Sequence, residues 1–213
     1  MSQIKERPIL FSAPMVRAIL EGRKTVTRRA VRAGFNPDDL EGTLSASECR
    51  KLYRELPQHF GASYFCPYGQ PGDRLWVRET FIDLRGTGVE HRSDPDGPLQ
   101  RYAYAADCRP GSHSDEARKD FGLKYKPSIH MPRAACRILL EITEVRVERL
   151  QDTSRADIRA EGLQCPPELA SDDVSPNYRD WYPAAWRELW DSTGGNWDSN
   201  PWVWVVEFKR VTP

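Results

Sequence analysis

Three segments read as β-strands, and what lies between them decides the architecture. Ile138 to Leu150 carries β-formers at Ile138, Leu140, Ile142, Val145 and Val147, and its alternation slips between Ile142 and Val145. Such a slip marks a bulge or bend in a curved sheet. Asp73 to Ile82 sets Leu75, Val77 and Glu79 on one face against Trp76, Arg78 and Thr80 on the other. Trp202-Val203-Trp204-Val205-Val206-Glu207-Phe208 is the third strand. The connections are too irregular for the strand–helix alternation of a parallel sheet. The expected fold class is therefore α+β: a small, curved, mostly antiparallel sheet or barrel flanked by helices.

Helix signals fall at three places. Ser12-Ala13-Pro14 opens the first helix, with Met15, Val16, Ile19 and Leu20 as its apolar stripe and Gly22 just past its end. Thr25 to Arg28 is then β-prone. Ser154-x-x-Asp157 is a capping box for a short helix that stops at Gly162. A third helix is expected from about Pro183, with Trp186, Leu189 and Trp190 on one stripe, ending at Gly194-Gly195. Two stretches rich in turn formers read as loop-rich insertions. One spans about 34–72, with a short helix near Ser47 to Leu56. The other spans about 83–126, with a short strand at Tyr102-Ala103-Tyr104.

A chain of 213 residues with 39% hydrophobic side chains can bury one core, so a single domain over 1–213 is expected. There is no run of about 18 apolar residues and no apolar segment behind the first charges. Five scattered cysteines do not suggest a disulfide framework. A cytoplasmic protein with reduced thiols and no membrane partner is the expectation. Net charge is zero, yet residues 1–34 hold Lys5, Arg7, Arg17, Arg23, Lys24, Arg28, Arg29 and Arg32 against only Glu6 and Glu21. A local basic surface on a neutral protein suits a phosphate-bearing ligand better than long-range capture of duplex, although arginines also serve simply to solvate a helix face.

Generic catalytic signatures are missing: there is no glycine-rich phosphate loop, no His-Glu-x-x-His and no Gly-x-Ser-x-Gly. The four histidines and five cysteines show no Cys-x-x-Cys or His-x-x-x-His spacing, so no metal site is expected. Three segments are more specific. They are Pro8 to Met15 leading into Gly22-Arg23-Lys24-Thr25-Val26-Thr27-Arg28-Arg29, then Gly72-Asp73-Arg74-Leu75-Trp76-Val77-Arg78-Glu79-Thr80, and Asp157-Ile158-Arg159-Ala160-Glu161-Gly162-Leu163.

Together these segments resemble the ASCH family, and in detail its long bacterial and phage-type members. The resemblance implies a small PUA-like β-barrel flanked by helices, here with the two insertions. One bacterial branch of that family hydrolyses N(4)-acetylcytidine with a Lys, a Thr three residues later and a distant Glu; other members are associated with binding or cutting RNA. On this chain the pattern falls on Lys24, Thr27 and Glu161, with Thr25 a second hydroxyl and Glu79 a second acid. The chain is about twice as long as members of that branch.

The implied activity is metal-independent and cofactor-free hydrolysis of an acylated amino group on a cytosine-like nucleoside or nucleotide. A non-catalytic RNA or modified-nucleic-acid binding module, and a ribonuclease using the same pocket, are the alternatives. The expected partner is a nucleoside, a nucleotide or RNA, with no obligate protein partner. Ser12, Arg23, Thr25, Arg28, Arg29, Trp76 and Glu79 are the expected substrate contacts.

The residue types suit this chemistry on their own terms. Amide hydrolysis needs a nucleophile, a base to activate it and an acid for the leaving amine. Burial and neighbouring arginines would draw the Lys24 amine toward its neutral, basic form, and Glu161 in a dry pocket could protonate the departing amine. Plainer roles compete: Lys24 as a solvated side chain, Thr27 as an ordinary strand residue, Glu161 as a solvated helical residue, Glu79 as a buried acid paired with an arginine. In a regular strand Lys24 and Thr27 would face opposite sides, so a shared pocket requires a bend between them.

Overall fold

The computed structural model describes residues 4–31, 66–92, 96–166 and 176–212. The helix expected near Ser47 to Leu56, and Cys49, lie outside the described residues. The strands are β1 (Glu6–Leu10), β2 (Val26–Ala30), β3 (Arg74–Arg78), β4 (Phe81–Asp83), β5 (Tyr102–Tyr104), β6 (Leu139–Arg149) and β7 (Trp202–Val211). The α-helices are α1 (Ala13–Leu20), α2 (His113–Asp120), α3 (Arg155–Ala160) and α4 (Pro176–Ser192). Five strands form one sheet in the order β1-β3-β6-β7-β2, and β4 and β5 form a separate antiparallel pair. The chain is a mixed α+β fold, as its patterning implies. Every pairing in the large sheet is antiparallel except β1 with β3, which run parallel.

The slipped alternation in β6 is a real irregularity: the register against β7 shifts between Ile142 and Glu144. β7 is the axis of the core because both of its faces are buried. Aromatic and branched side chains divide between them: Trp204, Val206 and Phe208 join Ile9, Leu75, Val77 and Leu140 on one side, where α1 adds Val16 and Ile19. Val203 and Val205 join Val26 and Leu150 on the other, where Ile158, Trp186 and Trp190 cover them. The sheet is thus held between α1 on one face and α3 with α4 on the other, and a strand sandwiched this way reads as a continuous apolar run.

Three boundaries differ from expectation. The strand expected over Asp73 to Ile82 divides in two, because the backbone leaves the large sheet after Arg78. Glu79 N–H donates to Met131 Sδ (3.1 Å), Thr80 O accepts from Ala105, and Phe81 starts the smaller sheet. α4 starts at Pro176 and carries Pro183 inside it, so that proline is not a start signal, although the Trp186, Leu189 and Trp190 stripe is correct. The second insertion also contains α2. Its signal was present in the sequence: Ser112 Oγ accepts from Asp115 N–H, acids fill the first turn, and Arg118 and Lys119 fill the last.

The edge strands β1 and β2 approach through side chains. Arg29 Nη2 donates to Leu10 O (2.6 Å) and its guanidinium lies 5.3 Å from the Phe11 ring centre. Among the described residues no backbone ladder joins these edges, so the sheet is not closed into a barrel. No described helix is long and apolar enough to cross a membrane.

Leu140 is fully buried in β6, between β3 and β7. Leu140→Ala is expected to cost about 2–5 kcal/mol. In urea titrations the unfolding midpoint should fall while the slope stays unchanged.

Candidate functional site

Two helix ends meet at Lys24 and Glu161. α1 ends at Leu20, Gly22 takes a left-handed φ of 74°, and Ala18 O accepts from both Arg23 N–H (2.9 Å) and Lys24 N–H (3.0 Å). This turn aims the chain at the end of α3. There Ala160 O accepts from Thr25 N–H (2.8 Å), and Lys24 and Glu161 form an isolated antiparallel bridge. Glu161 caps α3, and Gly162 follows at φ 93°. A Cβ on Gly162 would lie 2.8 Å from Ala18 Cβ and 3.1 Å from Lys24 Cβ, so only glycine permits so close an approach.

The Lys24 ammonium is 2% exposed as a residue and its three hydrogens are all used. Nζ donates to Glu161 Oε2 (2.5 Å), Glu161 O (3.0 Å) and Val26 O (2.8 Å). The Phe11 ring centre lies 5.6 Å away. Burial lowers the Lys24 pKa from the ordinary lysine value, and Glu161 opposes that shift by its charge and hydrogen bond.

Glu161 has a second cation. Its Oε1 accepts from Arg28 Nη1 (3.2 Å). Arg28 also donates through Nε to Glu148 Oε1 (2.8 Å), and its Nη2 lies within ion-pair distance of Glu148 (2.7 Å) and Asp157 (3.2 Å), outside hydrogen-bond alignment. Arg146 continues the chain of charges to Asp157, Glu148 and Glu207. The result is an alternating ionic ladder from a buried amine to the surface.

The structure brings Lys24 and Glu161 together from positions 137 residues apart. Thr27 is buried on β2 opposite Val206. Strand alternation turns Arg28 to the other face, and no hydrogen bond among the described residues joins the Thr27 hydroxyl to Lys24 or Glu161. Phe11 and Val206 belong to one apolar cluster, so the Lys24 amine and the Thr27 side chain border the same core.

The remaining expected contacts are dispersed. Arg23 Nη1 donates to Gly162 O (2.6 Å) and Nε to Glu21 (2.8 Å). Thr25 is exposed, with its backbone bonded to Ala160 and Phe208. Ser12 caps α1 without a side-chain hydrogen bond to the helix. Trp76 is half-buried on the outer face of β3, with the Arg78 guanidinium 5.3 Å from its ring centre.

Glu79 is 1% exposed and accepts two hydrogen bonds from Arg137 (2.8 and 2.9 Å). Burial pushes its pKa up against that pairing. Arg137 also serves Asp107 (2.7 and 3.0 Å) and lies 3.9 Å from the Tyr104 ring centre. No local pattern marks Arg137, Glu148 or Phe11 as partners, because each contact spans strands far apart in sequence. Among the described residues no cluster of three or more His, Cys, Asp or Glu side chains is arranged to hold a metal.

Comparison with family models, with curated proteins and with solved structures finds no match.

Breaking the pair should be asymmetric. Glu161→Gln leaves a buried ammonium facing only neutral acceptors and is expected to cost about 3–5 kcal/mol. Lys24→Met leaves Glu161 with Arg28 and should cost less, and the double variant should recover part of the loss, which a double-mutant cycle by chemical denaturation measures. In Glu161→Gln the folded-state amine loses its carboxylate and releases its proton below the unfolded lysine value of about 10.4. The unfolded chain then binds more protons than the folded one, so the variant's stability should rise as pH rises toward that value.

Proposed function

We propose that this chain hydrolyses an acylated amino group on a cytosine-like nucleoside or nucleotide, in the manner of the ASCH proteins its motifs resemble, with its curved sheet serving as an incompletely closed PUA-like barrel in a cytoplasmic setting. The observation that supports the reading most is the buried Lys24–Glu161 contact at 2.5 Å, flanked by Arg28. An amine and a carboxylate sharing a proton in a dry site exchange acid and base roles at small cost, because neutralising both removes two buried charges.

In this mechanism the neutral Lys24 amine takes the hydroxyl proton of Thr27 as its oxygen attacks the acyl carbon. The C–N bond breaks, Glu161 delivers a proton to the departing amino group, and an acyl–Thr27 ester remains. Lys24 then passes its proton back to Glu161 across their hydrogen bond; water attacks the ester as the neutral amine takes its proton, and Lys24 returns that proton to the departing Thr27 oxygen, which releases the carboxylic acid and restores the hydroxyl. Arg28 fixes the orientation of Glu161, and Arg29 and Arg23 supply positive charge at the rim for a phosphate.

A second reading, a module that holds RNA without chemistry, draws on a different observation. The outer face of β1 and β3 presents Trp76 stacked with Arg78, beside exposed Leu10 and the Arg29 guanidinium. An arginine-backed indole is a natural platform for an unpaired base. A ribonuclease would add cleavage to that surface.

Purified protein incubated with N(4)-acylated cytidines should show turnover by ultraviolet absorbance. Lys24→Ala, Thr27→Val and Glu161→Gln should each lower the rate by about 10²–10⁴-fold. No turnover with any acyl group by the wild type would remove the hydrolase. RNA affinity that falls steeply with salt and drops in Trp76→Ala, without cleavage, would favour the binding module.

A further inference from the structure

We propose that the second insertion carries a small-molecule site of its own, separate from Lys24 and Glu161, which takes a compact organic ammonium with an apolar body. β4, β5 and α2 enclose a cavity of about 300 Å³. That volume lies at the lower end of the range for small-ligand pockets and holds one ring with a short side chain. Its walls are apolar: Ile82 and Leu84 from β4 and its exit, Ala103 from β5, Ala117 from α2.

Three aromatic rings line it. Tyr104 is buried and anchored by its hydroxyl to Ala135 O (2.7 Å), with the Arg137 guanidinium 3.9 Å from its ring centre; Tyr125 has the Arg118 guanidinium 4.9 Å from its ring centre, and Phe121 stands 66% exposed. An aromatic side chain so exposed beside a cavity has apolar surface to offer a ligand.

Charge selects the class of ligand. The cavity is lined by Glu90, Asp107 and Arg118 together with His91 and His113. Arg118 is answered internally, by two hydrogen bonds to Asp115 (2.7 and 3.1 Å) and one to Leu123 O (2.9 Å). Asp107 is only half answered, because the one guanidinium it binds, Arg137, also neutralises the buried Glu79. Two carboxylates, Asp107 of the lining and the buried Glu79, therefore share one cation. Glu90 is exposed at the lining and has no ion pair among the described residues. Because Tyr104 and Tyr125 already hold arginines over their rings, Phe121 is the ring left to face a ligand cation, and the carboxylates of Glu90 and Asp107 supply its attraction. An anion would meet the same charges as repulsion, and a neutral ring would gain only the apolar part.

The test uses the full ¹⁵N-labelled chain and three probes that share one ring: phenethylammonium, 2-phenylethanol and phenylacetate. Phenethylammonium should shift the amides of Ala103, Ala117 and Leu123 saturably. Its affinity should exceed that of the alcohol by roughly tenfold, with phenylacetate weakest. Glu90→Gln, an exposed change that keeps the fold, should weaken the ammonium by roughly threefold or more and leave the alcohol unchanged. Ala117→Phe fills the cavity and should remove binding of all three while thermal unfolding stays cooperative. Equal binding of the three probes, or no saturable shift below about 10 mM, overturns the proposal. So does ammonium binding indifferent to Glu90→Gln. Should Ala117→Phe not fold, the probe series and Glu90→Gln decide the matter.

Discussion

The fold is organised around a charge that has been taken out of water. Removing an ammonium and a carboxylate from solvent costs several kcal/mol per ion, and only excellent geometry with further hydrogen bonds offsets it. Lys24 has that geometry: one carboxylate oxygen and two carbonyls accept its three hydrogens. One of those carbonyls belongs to Glu161 itself, at the end of α3, where a helix leaves acceptors without intrahelical partners. The amine therefore closes a helix end and an ion pair together. Gly22, Gly162 and the shared Ala18 carbonyl are the backbone features that let two helix ends come this close.

The same contact frames the chemistry proposed for this chain. A buried lysine with a depressed pKa is a better base than a solvated one, and Glu161 restrains that depression. Whatever displaces or protonates Glu161 frees the amine. Arg28 works in the other direction, since its guanidinium pairs with the carboxylate and holds it in place beside the amine. Its own position is secured by Glu148 and Asp157, and through them by Arg146. The proton balance of the centre is thus tied to side chains on three elements.

Much of the architecture was legible in the sequence because it rests on local periodicity. The β6 slip, the α1 stripe with Gly22, and the Ser154 capping box each follow from residues a few positions apart, and each recurs in the structure. The family pattern assigned Lys24 and Glu161 to one site, but not the buried ion pair that they form. Partners set by tertiary packing were not legible. Arg28 reads as a ligand contact by composition but turns inward to carboxylates on β6 and α3, and Glu79 finds Arg137 across a separate loop. The parallel run of β1 beside β3 has no local signature either, because it depends on a connection of more than sixty residues. α2 is different: its cap and end charges were there to be read, but the surrounding turn formers masked them.

β7 lies between β6 and β2 in the sheet, although it follows all the other described strands in chain order. Until it arrives, β2 has no ladder and both apolar clusters lack their middle, although β1 can already pair with β3. A ribosome must therefore deliver β7 before β2 can settle into the sheet. During that interval β2 presents unpaired edges, the condition under which chaperone capture and mispairing compete with folding.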